Sequence, residues 1–212
     1  NNSGSILAPF AIGIDRWYHV AVTFDGFIYR MYIDGIEMGN GISGAAPMVN
    51  SYDCILGAMA QSGNPPNKPI NHFSGWLDEL RIWNKALDSE HIHQMMNQRI
   101  AQAPGGSTSV RGVEIPMDIK GPIGSTGNDT DPLVWSNLEG YYRMDDIACG
   151  YLNPTSNKGV KGKLRNITSP LERSAPLPYT SKDPGSWTIM NTWSQPDVWD
   201  HPNSEGVNGE KI

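Results

Sequence analysis

Apolar and polar positions alternate most regularly over residues 17–35. Trp17 Tyr18 His19 Val20 Ala21 Val22 Thr23 Phe24 ends at Asp25 Gly26, and Phe27 Ile28 Tyr29 Arg30 Met31 Tyr32 Ile33 ends at Asp34 Gly35. Both runs are rich in β-branched and aromatic residues, and Asp-Gly tolerates the positive φ angles of a two-residue hairpin turn. The pattern predicts an antiparallel meander. A period of two puts Tyr18, Val20, Val22 and Phe24 on one face and Trp17, His19, Ala21 and Thr23 on the other, and the first set is the expected core face.

Beyond a Gly, Ala and Ser-rich stretch at 36–50, Tyr52 Asp53 Cys54 Ile55 Leu56 Gly57 reads as a further strand. A long polar loop comes next at 61–72, stiffened by Pro65, Pro66 and Pro69, of the kind that carries function. Phe73 to Trp83 reads as one long strand. Asp88 then caps a helix, with Leu87 placed to staple against Ile92 and with Ile92, Met95 and Met96 forming its apolar stripe; the helix is expected to fade near Ile100. Residues 104–132 are rich in Gly, Pro, Ser and Asp and read as a linker or extended crossover. Order resumes at Leu133 Val134 Trp135, through Leu138 Glu139 Gly140 Tyr141 Tyr142, with another strand expected over Gly159–Ile167.

Composition sharpens this pattern. With 23 Gly and 16 Pro in 212 residues, the chain is punctuated for many short strands and tight turns rather than long helices. A net charge of −6 with 18% charged residues leaves no basic stripe for nucleic acid and no polybasic cluster for an anionic membrane. No run approaches the ~20 apolar residues of a transmembrane helix. Cys54 and Cys149 lie far apart without CxxC or Cys/His spacing, so a disulfide is permitted but not implied, and no zinc motif is present.

The series Trp17 to Gly26, Tyr32 Ile33 Asp34 Gly35, Ile55 Leu56 Gly57 and Phe73 to Trp83 resembles the second half of a laminin-G-like, concanavalin A-like jelly roll of the pentraxin-related type. Leu87 to Ile92 fits the helix that comes after the Trp-ending strand in that family. Leu138 to Asp145 and Gly162 Lys163 Leu164 Arg165 Asn166 resemble the family's opening strands, so the chain reads as a back half followed by a front half. The resemblance implies an all-β antiparallel jelly-roll sandwich with one short helix. We expect residues 1–103 to be the C-terminal part of one sandwich, 104–132 a linker and 133–212 a second, incomplete β-rich module; completion of the first sandwich by 133–180 is the alternative. Residues 80–210, including the spaced Trp187, Trp193 and Trp199, are also similar to large surface proteins of gliding Bacteroidota exported by the type IX route. That likeness implies a segment of a larger extracellular cell-surface protein, joined to further domains of its parent chain.

Chemistry is sparse. Asp78 and Glu79 are adjacent acids on a strand pattern, where successive side chains point to opposite faces and cannot flank one glycosidic bond. In the resembled family this step pairs with loop backbone and basic side chains. Calcium is the cofactor the resemblance admits, but the 61–72 loop offers Gln61, Asn64, Asn67, Asn71 and His72 without a carboxylate. Asp25, Asp34 or Asp53 are the acids that neighbouring turns could add. His91 and His93 do not share a helix face and read as solvated. The spaced tryptophans read as packing anchors ahead of sugar platforms. Asn1, Asn128 and Asn166 begin Asn-x-Ser/Thr triplets. No nucleophile, zinc-protease, P-loop or dinucleotide motif occurs. The expected function is a non-catalytic binding or adhesion module that contacts glycan or protein through its edge loops, with Gln61, Asn64, Asn67, Asn71 and His72 as the ligand-facing residues. The rival readings are a structural spacer in a filamentous surface or gliding-motility protein and, third, a glycoside hydrolase.

Overall fold

The structure is a computed structural model that describes residues 6–7, 11–13, 17–42, 53–61, 68–121, 132–156, 158–165, 175, 177, 180–186 and 189–194. The described chain is mostly β, in antiparallel sheets, with one short α-helix, as expected of a concanavalin A-like β-sandwich. The meander is β1 (Val20–Phe24), β2 (Ile28–Ile33) and β3 (Ile36–Ile42), hydrogen-bonded in that order. Its second turn is the two-residue type: Ile33 pairs with Ile36, and Asp34 and Gly35 have φ of 49° and 80°. Its first turn is wider, because the Asp25 carboxylate accepts the Phe27 and Ile28 N–H groups and leaves Phe24 and Tyr29 as the last pair. Asp34 also ties the meander to its own approach: its Oδ1 accepts the His19 N–H at 2.8 Å while its N–H donates to the His19 carbonyl.

The core lies on the other side of this sheet from the one expected. Val20 and Val22 are exposed, whereas Thr23 and Tyr32 are buried and Ala21 packs against the core. Both faces of β1 carry apolar side chains, so alternation alone leaves the choice open. The helix and the strands after it lie on the Ala21 and Tyr32 side, and their position decides it.

Two short strands, β4 (Met59–Gln61) and β5 (Lys68–Ile70), pair with each other across the expected loop, and no strand forms over the described residues 53–57. The long strand expected at 73–83 is reduced to β6 (Leu80–Trp83). Glu79 takes a φ of 52°, which no β-strand residue adopts, and Asp78 Oδ1 accepts the Glu79 N–H to hold that turn. Helix α1 (Ser89–Met96) begins as expected, with Asp88 accepting the His91 N–H at 2.9 Å and Ile92 and Met95 buried. It stops at Asn97 rather than near Ile100, because Ile100–Gln102 forms strand β7 with β8 (Val110–Gly112).

The remaining strands are β9 (Leu138–Tyr142), β10 (Ile147–Ala148), β11 (Tyr151–Leu152) and β12 (Gly162–Lys163), the last three forming one small sheet. Strand β9 pairs antiparallel with β6, Leu80 opposite Tyr142 and Arg81 opposite Tyr141. A single buried cluster takes Tyr32, Leu87, Ile92 and Ile100 from the first part of the chain, Val110 and Ile119 from 104–132, and Leu133, Leu138 and Tyr141 from the last part. One strand pair and one buried cluster thus draw residues from both sides of positions 103 and 132.

Candidate binding surface

Of the five residues expected to face a ligand, Asn64 and Asn67 lie outside the described residues, and Gln61 is placed only as the end of β4. Asn71 and His72 are both exposed. Asn71 has a φ of 49°, a left-handed conformation that Asn tolerates better than most residues and that turns the chain out of β5. The turn is fixed from behind, where the Phe73 N–H donates to the Gly57 carbonyl at 2.8 Å.

Immediately after Asn71 and His72, the segment Phe73–Leu77 forms an exposed ledge in place of the expected strand. Phe73 is 56% exposed, Trp76 40% and Leu77 37%, and Leu56 and Met59 on the neighbouring segment are more than half exposed. The ledge is held in place by small residues beneath it. The Phe73 ring lies over Gly75, where a Cβ would meet its Cζ at 2.7 Å, and Leu77 lies over Gly57, whose φ is 79°. Any side chain at Gly75 would displace the ring. The signal is present in Phe73 Ser74 Gly75 Trp76, in which a glycine sits between two aromatics, but the same residues satisfy a strand pattern. Residues 53–59 and 69–77 contain no Lys or Arg and one acid, Asp53, so these two segments themselves supply no lysine or arginine to a bound ligand.

Asp78 and Glu79, next along the chain, serve the structure. Asp78 accepts the N–H groups of Glu79 and Ala175, and burial nevertheless pushes its pKa up to about 6, with Glu79 and Asp145 adding repulsion. Glu79 Oε2 accepts from Arg81 at 2.8 Å and from the Tyr141 hydroxyl at 2.6 Å. Arg81 donates onward to the carbonyls of Met95 and Gln98 at the C-terminal end of α1, and its guanidinium lies 5.3 Å from the centroid of the Tyr141 ring. Both carboxylates thus meet loop backbone or basic side chains, as the resemblance implied. Their separation onto opposite faces rested on a strand that is not there.

The remaining candidates find structural roles or stand alone. His91 is buried rather than solvated, because its Nδ1 shares the Asp88 cap at 2.7 Å; His93 is exposed. Cys54 and Cys149 are both exposed free thiols. Trp193 is buried, in keeping with a packing role, while Trp187 and Trp199 lie outside the described residues, as do Asn1, Asn128 and Asn166. Of the acids considered for calcium, Asp25 pairs with Arg30 at 2.8 Å and Asp34 holds the His19 N–H. Among the described residues no group of three or more His, Cys, Asp or Glu side chains is placed to hold a metal ion. No helix among them is long and apolar enough to cross a membrane.

Antiparallel strands with a single short helix are the features of the jelly-roll fold class. A laminin-G family model, described as the concanavalin A-like lectin/glucanases superfamily, matches residues 2–93, the span from the N-terminal residues through β1–β6 into α1. No solved structure matches the chain. The matched superfamily contains both binding modules and glucanases, and a carbohydrate- or protein-binding module fits its laminin-G branch.

Proposed function

We propose that this chain is a non-catalytic binding module of a larger cell-surface protein, and that the Phe73–Leu77 ledge, with Asn71 and His72 beside it, takes a neutral glycan. The supporting observation is that ledge: the Phe73 and Trp76 rings exposed to solvent, Phe73 seated over Gly75 and Leu77 over Gly57, with an amide and an imidazole next to them. The less polar face of a pyranose ring stacks on aromatic surface, while amide and imidazole groups fix its hydroxyls. Extracellular placement, and export by the type IX route in a gliding bacterium, are part of the proposal and rest on the motif likeness of residues 80–210.

The test is a glycan array probed with the full chain, in calcium and in chelator. We expect saturable binding to neutral glycans and none to sulfated or carboxylated ones, with Trp76→Ala losing at least about tenfold in affinity, the worth of one stacked ring at ~1.4 kcal/mol. Loss of binding in chelator would add a cation to the site. A blank array with an unchanged melting temperature would favour the spacer reading. Steady release of reducing ends from a glucan, abolished by Glu79→Gln, would overturn the non-catalytic reading.

A further inference from the structure

The entry to β1 and the helix meet at one turn. His19, immediately before β1, is clamped to the Asp34-Gly35 turn by both of its backbone groups: its N–H donates to Asp34 Oδ1 at 2.8 Å, and its carbonyl accepts the Asp34 N–H at 2.9 Å. His93 of α1 closes on the same turn. Its Nδ1 donates to the Ser89 carbonyl at 2.9 Å, which leaves Nε2 without the proton, and that Nε2 lies so near Gly35 that an added Cβ would meet it at 2.5 Å. Turn and helix therefore fit together only over a glycine.

The His19 ring is trapped at this joint. It is half-buried, and its Nδ1 is out of contact with water and has no hydrogen-bond partner. The groups of other elements that act on it are Arg81 of β6 and His93 of α1. Arg81 is held by Glu79 and by the Met95 and Gln98 carbonyls, so it cannot withdraw from a second cation. The Asp34 carboxylate of the turn already accepts the His19 N–H. A neutral imidazole fits this position, whereas a protonated one brings a charge with no water and no acceptor at Nδ1.

We propose that His19 is an acid-sensitive latch: protonation of its ring opens the joint between the Asp34-Gly35 turn and α1 while the rest of the meander stays paired. Opening carries the ring into water and away from Arg81, and it breaks only the two His19–Asp34 bonds and the seat of His93 on Gly35. Unfolding the meander would break every β1–β2 and β2–β3 pair as well, so the local route is the cheaper one. The open joint regains the ordinary histidine value of 6.5, against about 4 when closed. Open molecules thus take the proton first, and each pH unit below 6.5 raises their population about tenfold, up to about thirtyfold at pH 5.

Amide hydrogen exchange by NMR on the full chain at about pH 7 and pH 5, corrected for the intrinsic pH dependence of exchange, tests this. The reference is the Asp25 turn at the far end of β1. Its Phe27 and Ile28 N–H groups are held by a carboxylate whose pKa is lowered to about 2, so it stays ionised at both pH values. We expect protection of the His19 and Asp34 amides to fall about thirtyfold while Phe27 and Ile28 keep theirs. His19→Gln and His19→Asn, neither of which can take a proton, should each abolish the difference, and two variants guard against a folding effect in either. Equal loss at both turns would assign the response to global unfolding and overturn the latch. So would a fall at Asp34 that persists in both variants, or no fall at all.

Discussion

At the scale of single residues, Arg81 does most to hold separate parts of the chain together. Its guanidinium meets Glu79, the carbonyls of Met95 in α1 and Gln98 just beyond it, and the ring of Tyr141 on β9, and its side chain and that of Glu79 are each about nine-tenths buried. A buried pair contributes modestly when intact, but removing one partner strands a charge away from water. Arg81→Met is therefore expected to cost about 3–5 kcal/mol, and Tyr141→Phe, which deletes one donor to Glu79, about 1–2 kcal/mol. In the double variant Glu79→Gln, Arg81→Met part of the loss should return. Urea denaturation measures all three, and a cost for Arg81→Met no larger than that for Tyr141→Phe would show the network does not hold these elements. His19 and Asp78 give the pH response. Burial, then the charges of Arg81 and His93, lower the His19 pKa from 6.5 to about 4. Between those values the unfolded chain binds the proton and the folded chain does not, so stability falls as pH drops through that window, by up to about 3 kcal/mol. Asp78 is raised from 3.8 to about 6, so the folded state takes up its proton first and gains stability as pH falls through that range. Asp78 is half-buried and solvent screens it, which makes its gain the smaller one. The chain should lose stability between pH 6.5 and 4, His19→Gln should reverse that slope, and Asp78→Asn should steepen it. Thermal melts across this range decide the matter, and an unchanged slope in His19→Gln would remove His19 as its origin.

At the scale of elements, local signals in the sequence are legible where one residue's chemistry dictates the backbone. Asp34-Gly35 requires positive φ at two successive positions, and that turn forms as expected. Asp88 as the cap of α1 and Ile92 and Met95 as its buried stripe come from spacing alone. The failures occur where a second interaction competes. The Asp25 carboxylate widens a turn that Asp-Gly alone would have kept tight. Glu79 leaves the strand conformation and buries its carboxylate between Arg81 and Tyr141, a partner 62 residues away that no local pattern reveals. His91 is drawn inward by the same Asp88 that starts its helix. The ledge is hidden differently: Phe73, Trp76 and Leu77 lie in a run that reads as a strand, whereas in the structure Phe73 seats over Gly75, Leu77 over Gly57, and all three stay exposed. Of the five ligand-facing residues expected in the loop, Asn71 and His72 are exposed and precede the Phe73–Leu77 ledge, an aromatic surface that loop composition does not point to.

At the scale of the whole molecule, the pairing of β6 with β9 decides what can fold alone. Half of the buried cluster comes from beyond residue 103: Val110, Ile119, Leu133, Leu138 and Tyr141, each buried to 2% exposure or less. A fully buried aliphatic or aromatic side chain contributes about 1.5–3 kcal/mol, so these five together represent of the order of 10 kcal/mol, which matches the entire net stability of a typical domain. Truncation at residue 103 would also leave β6 without β9, exposing an unpaired edge whose N–H and C=O groups recruit other chains. Residues 1–103 are accordingly expected to aggregate and to melt without a cooperative transition, while a chain carried through residue 165 keeps β9 and the strands after it and melts as one unit. Size-exclusion chromatography with a thermal melt on both fragments separates the cases. A monodisperse, cooperatively melting 1–103 would mean that β9 is an accessory to a unit complete without it, and would support the segment from 133 onward as a separate module.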